Sequence, residues 1–431
     1  MINKPILQVA LDFVDMHRAL KVAKEAVAGG VDWLEVGTPL IKAEGLHFIR
    51  KLKEMFPRKI IVADMKTMDV GRAEVEMAAK AGAKIIDVLG VASDSTISEC
   101  VEAAKNYGAE IIVDMIEVKD IVKRAKEVEK LGVHYIGIHT SIDEQMRGEG
   151  PFKALKKVCE EVNIPVAVAG GINSENVVEA VKCGAKIIIA GGAITKSQDA
   201  KKATQVIKKA MLSLKKVPTN LYKRIGEKDI AKILNLVSTA NISDALHRLP
   251  SLKDIYPIVK GVKMIGKAVT VRTYPGDWAK PVEAIDMAGE GDVIVIDAGG
   301  VGPAVWGELA THSSARKKLS GVVIDGAIRD TKEIRDLKFP AFSKLITSNA
   351  GEPKGFGEIN VPVNIGGQKV FPGDWIIGDD DGVIVIPSEK AVEYTNRAMD
   401  VLEKENRIRK EIIEGSTLSS VMDLLKWEKK V

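Results

Sequence analysis

Eight short apolar runs fill roughly the first 210 residues, each ending in polar residues or glycine and followed by an amphipathic helical stretch. The runs are Ile6–Leu11, Trp33–Val36, Ile60–Ala63, Ile85–Leu89, Ile111–Val113, Tyr135–Ile138, Val166–Ala169 and Ile187–Ala190. Runs this short and this continuous suit parallel strands covered on both faces. Eight strand–helix units in that length predict a closed (β/α)8 barrel, an α/β fold of the TIM-barrel class. Such a barrel carries its reactive groups at the carboxyl ends of its strands. Here those ends hold Asp12, Glu35, Asp64 with Lys66, Asp87, Asp114, His139, Gly170-Gly171 and Gly191-Gly192.

The third end, Asp64-Met65-Lys66-Thr67-Met68-Asp69, crowds three charges at the mouth of one strand. Burying a lone charge is costly, and alternating signs lower that cost. In isolation the segment reads as a surface salt-bridge turn. On a rim of acids with one histidine, it offers an acid, a base and an electrostatic clamp, the parts needed to make and quench a carbanion. Asp87 and Asp114 either orient ligands from behind or are strand-end acids bonded to loop amides. The seventh and eighth ends, Ala169-Gly170-Gly171-Ile172-Asn173 and Ala190-Gly191-Gly192-Ala193-Ile194, offer glycine backbone where this barrel places phosphate. Phosphate binding at Gly170, Gly171, Gly191 and Gly192 is the expectation; two tight turns are the alternative.

These residues resemble a family. The Asp-x-Lys-x-x-Asp segment, Val9-Ala10-Leu11-Asp12 and Leu34-Glu35-Val36-Gly37-Thr38-Pro39 are similar to the orotidine-monophosphate decarboxylase superfamily, and within it to the 3-hexulose-6-phosphate synthases, over residues 1–212. The resemblance implies a magnesium-dependent aldol reaction joining formaldehyde to ribulose 5-phosphate, or its reverse. It implies Mg2+ or Mn2+ on Glu35 and Asp64, with Asp12, Lys66 and His139 in the chemistry, Lys66 facing the developing oxyanion and His139 moving the proton. It also implies that Asp69 reaches into a neighbouring subunit's site, making the barrel a dimer. Decarboxylases of the superfamily usually carry Gly-Arg after the eighth strand. Gly192 stands there in this chain, which weakens a reading as a sugar-acid phosphate decarboxylase.

A chain of 431 residues is too long for one ordinary domain. The basic, proline-bearing stretch 213–220 reads as a linker, with a second domain over 221–415 and a tail at 416–431. Beyond the linker, helical segments at Asp229–Val237 and Ser243–His247 precede strand-like runs less regularly interleaved with helices, which predicts an α+β layered domain. A net charge of +4 argues against a dedicated nucleic-acid binder. No apolar run approaches a membrane span, and the N-terminus lacks a basic-then-apolar leader, so a cytoplasmic protein is expected. Cys100, Cys159 and Cys183 are expected to be buried free thiols, and His17 and His47 to be solvated. Asp379-Asp380-Asp381 reads as a turn, and the charged stretch Glu403–Glu414 as a helix with i,i+4 pairs.

The second half has its own signal. Glu308 follows the glycine-rich loop Gly299–Pro303 at the start of a helical run, and Arg329-Asp330 follows a strand. A glycine loop feeding a helix is an anion site, arginine grips carboxylates with two donors, and aspartate suits a divalent metal. Together they suggest a 2-keto acid with its carboxylate on the loop and Arg329. Asn241–Leu246, Pro275-Gly276-Asp277-Trp278, Asp325–Asp330 and Pro372-Gly373-Asp374 are similar to the RraA-like family, which includes class II pyruvate aldolases. That resemblance implies metal on Asp330, an enolate polarised by Arg329, a proton-transferring water near Glu308, and trimers. A barrel dimer combined with such a trimer makes a hexamer the simplest homo-oligomer. Members of that family also act as regulators without chemistry, so a regulatory or assembly module is the alternative.

Overall fold

The computed structural model describes residues 4–219, 221 and 223–422. Two compact units divide the chain. One comprises residues up to Arg224 together with those from Glu403 on, and the other is Ile225–Leu402.

In the first unit, β1 (Ile6–Leu11), β2 (Trp33–Val36), β3 (Ile60–Thr67), β4 (Ile85–Leu89), β5 (Glu110–Asp114), β6 (Tyr135–His139), β7 (Val166–Ala169) and β8 (Ile187–Ala190) form a closed parallel barrel in chain order. β8 returns to β1 through the pairs Ile6↔Ile187 to Val9↔Ala190. Strand periodicity sorts the side chains. Leu7, Val9, Leu11, Ile61, Ala63, Val113 and Val168 belong to the large core shared with the helices. The alternate residues Trp33, Val62, Ile85, Ile112, Ala167 and Ile187 form a second core. Two residues further along the same inward face come Glu35, Asp64, Asp87 and Asp114. The alternation that fills the barrel therefore aims its acids into the mouth.

β3 is the exception to the expected strand limits. It runs to Thr67, past the expected end at Ala63, and its pairing with β4 skips from Ala63↔Ile86 to Thr67↔Val88. Lys66 takes a left-handed φ of 47° inside this bulge. A bulge re-aims side chains, and this one leaves Lys66 turned toward the mouth.

The expected linker is tied down where it is described. Val217 N–H donates to Ser174 O at 3.1 Å, Ser174 Oγ to Val217 O at 2.8 Å, and Thr219 N–H to Glu175 Oε1 at 2.8 Å. The charged helix also departs from expectation. The sequence pattern assigns it to the second domain, but from Glu403 on it belongs with the barrel unit. Arg407 is the reason: it is buried against Glu25, held at 2.9 and 3.0 Å. The expected tail lies outside the described residues from 423 on, and a short helix, Leu418–Val421, precedes that point. Among the described residues, no helix is long and apolar enough to cross a membrane.

The second unit is layered. Its helices begin as Ile230–Leu234 and Thr239–Ala245, the latter starting early because Ser238 and Asn241 form a capping box. Strands Met264–Thr273, Val293–Asp297, Gly321–Ile328 and Ala341–Ile346 pair in parallel, and Trp375–Asp379 and Gly382–Ile386 extend the sheet antiparallel. Helices Ala279–Met287, Glu308–Arg316 and Thr331–Asp336 make the crossovers, so this part of the sheet interleaves with helices more regularly than the pattern suggested. The two Pro-Gly-Asp motifs are structural staples. Asp277 accepts from the amides of Ala279, Lys354, Gly355 and Phe356 at 2.9–3.3 Å. Burial raises its pKa, but those amides outweigh burial and hold it below the usual carboxylate value. Asp374 likewise accepts from Phe371 and Ser388. Asp379 closes the expected turn, accepting the Asp381 amide at 3.1 Å and both the amide and hydroxyl of Thr239.

His17 and His47 are exposed on helices. The cysteines are free, but only Cys100 is buried; Cys159 is half-buried, and Cys183 sits just past the end of its helix.

Candidate active site

The barrel mouth encloses a cavity of about 580 Å3. Asp12, Glu35, Asp64, Lys66, Asp87, Asp114, His139 and both glycine pairs line it. Lys66 is its electrostatic centre. The ammonium stands 3.0 Å from Asp64 Oδ1 and 2.9 Å from Asp114 Oδ2. Asp114 Oδ2 also meets His139 Nδ1 at 2.9 Å, and its Oδ1 takes the Ile116 amide at 2.9 Å. Asp114 therefore holds Lys66 and His139 and caps a loop amide as well. With Nδ1 engaged, His139 has only Nε2 to offer a ligand.

Two residues that the strand-end reading did not single out complete the geometry. Thr38 donates its amide (3.2 Å) and hydroxyl (2.8 Å) to Asp64 Oδ2, fixing that carboxylate from the neighbouring loop. Gln8 donates Nε2 to Glu35 Oε2 at 2.5 Å from one layer below. Both were legible in principle, Thr38 within the quoted motif and Gln8 as a polar residue inside an apolar run. Gly37 is dictated by close approach: a Cβ there would lie 2.1 Å from Asp12 Oδ1.

The charges are unequal. Burial pushes Asp114 up, but the His139 hydrogen bond and the nearby positive charges outweigh it and hold it at about 2. Burial, then Asp64 and Asp12, raise Glu35 to about 8. Asp12 is open to the cavity yet enclosed by the barrel wall; that enclosure and the Asp64 charge raise it to about 6. Asp87 is raised by burial and by Asp64 and Asp114, and its Oδ1 has no hydrogen-bond partner. Burial lowers Lys66, but Asp87, Asp64 and Asp114 overcome it and keep the ammonium charged. Burial also lowers His139, while the bond to Asp114 more than compensates and raises its pKa.

The mouth gathers five carboxyl groups around Lys66. A hard cation with oxygen ligands fits that donor set. Among the described residues, no three acid, histidine or cysteine side chains form a complete metal cage. An ion held by Glu35 and Asp64 would therefore draw its remaining ligands from substrate and water, which suits Mg2+.

The glycine loops differ from each other. Gly191 and Gly192 run straight into the one-turn helix Gly192–Thr195. After β7 the next helix starts only at Val177, and the amides between are taken: Asn176 Oδ1 accepts from Asn173, and Asn173 Oδ1 from Glu175 and Asn176. Gly170 and Gly171, with φ of 106° and 69°, still line the cavity with bare backbone. Asp69 does not line it. Its side chain is exposed on the loop after β3 and accepts the Val70 amide at 2.7 Å.

In the second unit, Arg329 and Asp330 border a cavity of about 150 Å3 with Trp278, Val305, Trp306 and Ala350. Asp330 takes the left-handed conformation at φ 55°; its Oδ2 accepts the Glu308 amide at 3.1 Å and lies 3.5 Å from Arg329 Nε. Gly307 permits this, since a Cβ there would sit 2.4 Å from Asp330 Oδ2. The Glu308 carboxylate turns along its helix toward His312 at 3.5 Å, and its backbone amide is what meets Asp330. One expectation is corrected. The loop Gly299–Pro303 does not feed the helix directly, because strand Ala304–Trp306 intervenes. Its Gly299 and Gly300 amides are bonded to Asp297 Oδ1 and Asp325 O, so the loop does not converge with Arg329 on one cavity.

Glu35 gives the barrel a pH dependence in chelator. Between its ordinary 4.5 and about 8, the folded barrel keeps a proton that the unfolded chain releases, so this group subtracts stability as pH rises through that window. Glu35→Gln should leave the Tm unchanged near pH 4 and raise it by several degrees near pH 9. Equal Tm shifts at both pH values in a thermal-melt series would contradict this.

Comparison with known proteins matches two families. Residues 5–207 match the orotidine 5'-phosphate decarboxylase / HUMPS family, and residues 239–385 the RraA-like (Aldolase/RraA) family. A 3-hexulose-6-phosphate synthase of Bacillus subtilis is 43% identical over 194 residues, 45% of this chain and 92% of that one. The Mycobacterium gastri 3-hexulose-6-phosphate synthase is 41% identical, over 48% of this chain and 99% of that one. A crystal structure of 3-hexulose-6-phosphate synthase from Salmonella typhimurium matches with 36% identity and a TM-score of 0.47, covering 48% of this chain and 99% of the other.

Proposed function

Because the chain belongs to the orotidine 5'-phosphate decarboxylase / HUMPS family through residues 5–207 and carries an RraA-like domain over 239–385, we propose that its barrel is an aldehyde-lyase joining formaldehyde and ribulose 5-phosphate to 3-hexulose 6-phosphate, reversibly. The observation that carries this reading is one cavity with Lys66, His139 and paired carboxylates at one end and two glycine loops at the other. The 43% identity to a named synthase across 92% of its length supports it.

In this reading the substrate's phosphate lies on the backbone of Gly170, Gly171, Gly191 and Gly192, and its carbons extend toward β1–β6. His139 Nε2 takes a proton from C1, and Asp114 stabilises the imidazolium that results. The C1 electron pair forms the new bond to the formaldehyde carbon, and the formaldehyde oxygen gains a proton. Lys66 faces the negative charge that develops on the sugar oxygens. Glu35 and Asp64 would hold Mg2+ or Mn2+, which would draw electrons from those oxygens as a Lewis acid. Asp12 contributes a second carboxyl group near neutral charge balance, able to accept or return a proton.

Asp64→Asn should lower kcat/KM by about a thousandfold or more, because it removes a cation ligand and unbalances Lys66 together. Formaldehyde-dependent loss of ribulose 5-phosphate measures this, and full wild-type activity in excess chelator would sink the metal assignment.

Asp69 stands outside its own cavity, which supports a role across a subunit contact. Asp69→Ala and Lys66→Ala should each be inactive yet folded. Mixing them under conditions of subunit exchange should restore activity, since one site in each mixed dimer then has both residues. No recovery after mass spectrometry confirms mixed dimers would place Asp69 in the site of its own chain.

For the second domain we propose binding of a small 2-keto acid with a divalent cation on Asp330. Arg329 beside Asp330 and a cavity well under the usual ~300 Å3 of ligand pockets support a short acid. Arg329→Lys keeps the charge and loses the two-pronged grip, so oxalate affinity measured by calorimetry with Mg2+ should fall about tenfold. If wild-type protein binds no oxalate at Arg329, the domain is better read as a regulatory or assembly module.

A further inference from the structure

The helix Gly192–Thr195 is a single turn. Its bonds run from the amides of Ile194 and Thr195 to Gly191 O and from Lys196 N–H to Gly192 O. Ala193 and Ile194 pack this turn into the barrel core. A second support, acting on the carbonyls just after it, comes from about two hundred residues further along the chain. Arg407 Nη1 donates to Ser197 O at 3.0 Å and to Gln198 O at 3.3 Å, the carbonyls that follow this turn. The same guanidinium grips Glu25 through Nη1 at 3.0 Å and Nη2 at 2.9 Å, and donates Nε to Glu411 at 2.8 Å. Glu25 Oε2 in turn accepts the Ala200 amide at 3.1 Å, the first residue of helix Ala200–Ser213. The Lys410 ammonium adds a bond to Gln198 O.

Arg407 is only 2% exposed. An apolar side chain would dock a helix there without stripping a guanidinium of water. The planar fork does what no apolar residue does: it fixes two backbone carbonyls and a carboxylate at once. The clamp lies beyond the matched family region, which ends at residue 207. The Mycobacterium gastri synthase is 99% used by its match to 48% of this chain, leaving no segment in it to supply a counterpart.

We propose that Arg407 is a positioning residue for the phosphate end of the barrel cavity. By locking Ser197 and Gln198 it sets the turn whose amides receive the phosphate, and it touches no substrate itself. The proposal rests on reading the glycine loops as the phosphate site.

The test uses the full chain and three variants. Arg407→Lys keeps the charge but does not reach Glu25 and both carbonyls together. Lys410→Ala removes the exposed grip on Gln198 together with an exposed pair to Glu414. Lys21→Ala removes the Glu414 contact of the same helix without touching Arg407. Tm, KM and kcat for ribulose 5-phosphate, and the dissociation constant of inorganic phosphate by calorimetry are measured for each. Arg407→Lys should raise KM and the phosphate constant about tenfold with kcat nearly kept, and Lys410→Ala about twofold. Lys21→Ala should lower Tm slightly and leave both constants unchanged. Phosphate affinity unchanged in Arg407→Lys, or in Lys410→Ala should the first variant not fold, overturns the proposal. A wild-type chain that binds phosphate in an Arg407-dependent way yet never consumes ribulose 5-phosphate overturns the reaction and upholds the positioning role. Absence of phosphate binding by the wild type overturns both.

Discussion

The contact on which the barrel mouth depends is the Lys66 ammonium shared between Asp64 and Asp114. At about 3 Å and an effective dielectric near 20, each contact carries raw attraction of roughly 5 kcal/mol before desolvation is subtracted. Without it, Asp64, Asp87 and Asp114 would share one low-dielectric opening with no counter-charge. Such carboxylates escape by taking up protons, as the raised values of Glu35 and Asp12 already show at the edge of Lys66's reach. Asp114, with both His139 and Lys66 against it, is held at about 2, whereas burial and the Asp64 and Asp12 charges raise Glu35 to about 8.

That placement depends on local backbone geometry the sequence does not announce. The barrel itself was readable, because parallel strands covered on both faces appear as unbroken apolar runs, and the rim acids follow from strand parity. The extension of β3 was not. Met65, Lys66 and Thr67 look like a loop, since a bulge breaks the alternation that marks a strand. The Asp-x-Lys spacing still placed both side chains on one face. Thr38 and Gln8 went unselected for a related reason: a hydroxyl or an amide shows its role only when its partner's position is known.

Charge pattern misled at the C-terminal helix. Residues 403–414 alternate acids and bases at helical spacing, which ordinarily marks a solvated face. About three turns of such a helix still have several faces, however, and the pattern does not say which one is covered. Arg407, Glu403 and Glu411 are buried. In the second domain the error ran the other way. Glu308, Gly299 and Gly300 have the composition of a site, but the Glu308 carboxylate turns toward His312 and both glycine amides are spent on Asp297 and Asp325. Asp277 and Asp374, from motifs that carry the resemblance, hold loops closed. A family motif is as often the fold's staple as its active site.

On the proposed reading, the division of the rim follows from the charge of a phosphate. A phosphate dianion is repelled by carboxylates, so it must be held where no acidic side chain points inward. On this rim the acids end β1 to β5, His139 ends β6, and only glycine ends β7 and β8. Backbone amides supply partial positive charge there without a counter-charge that would compete with Lys66 for the acids. Beside that backbone, the Asp12 carboxylate is the nearest side chain to Gly191, 3.6 Å from the position of a Cβ. Glycine leaves Asp12 raised toward neutrality and free to exchange a proton. A rim that uses neutral backbone for the phosphate and keeps its one lysine for the acids is suited to chemistry in which a carbanion is made and then captured, with no net charge brought in by the anchor.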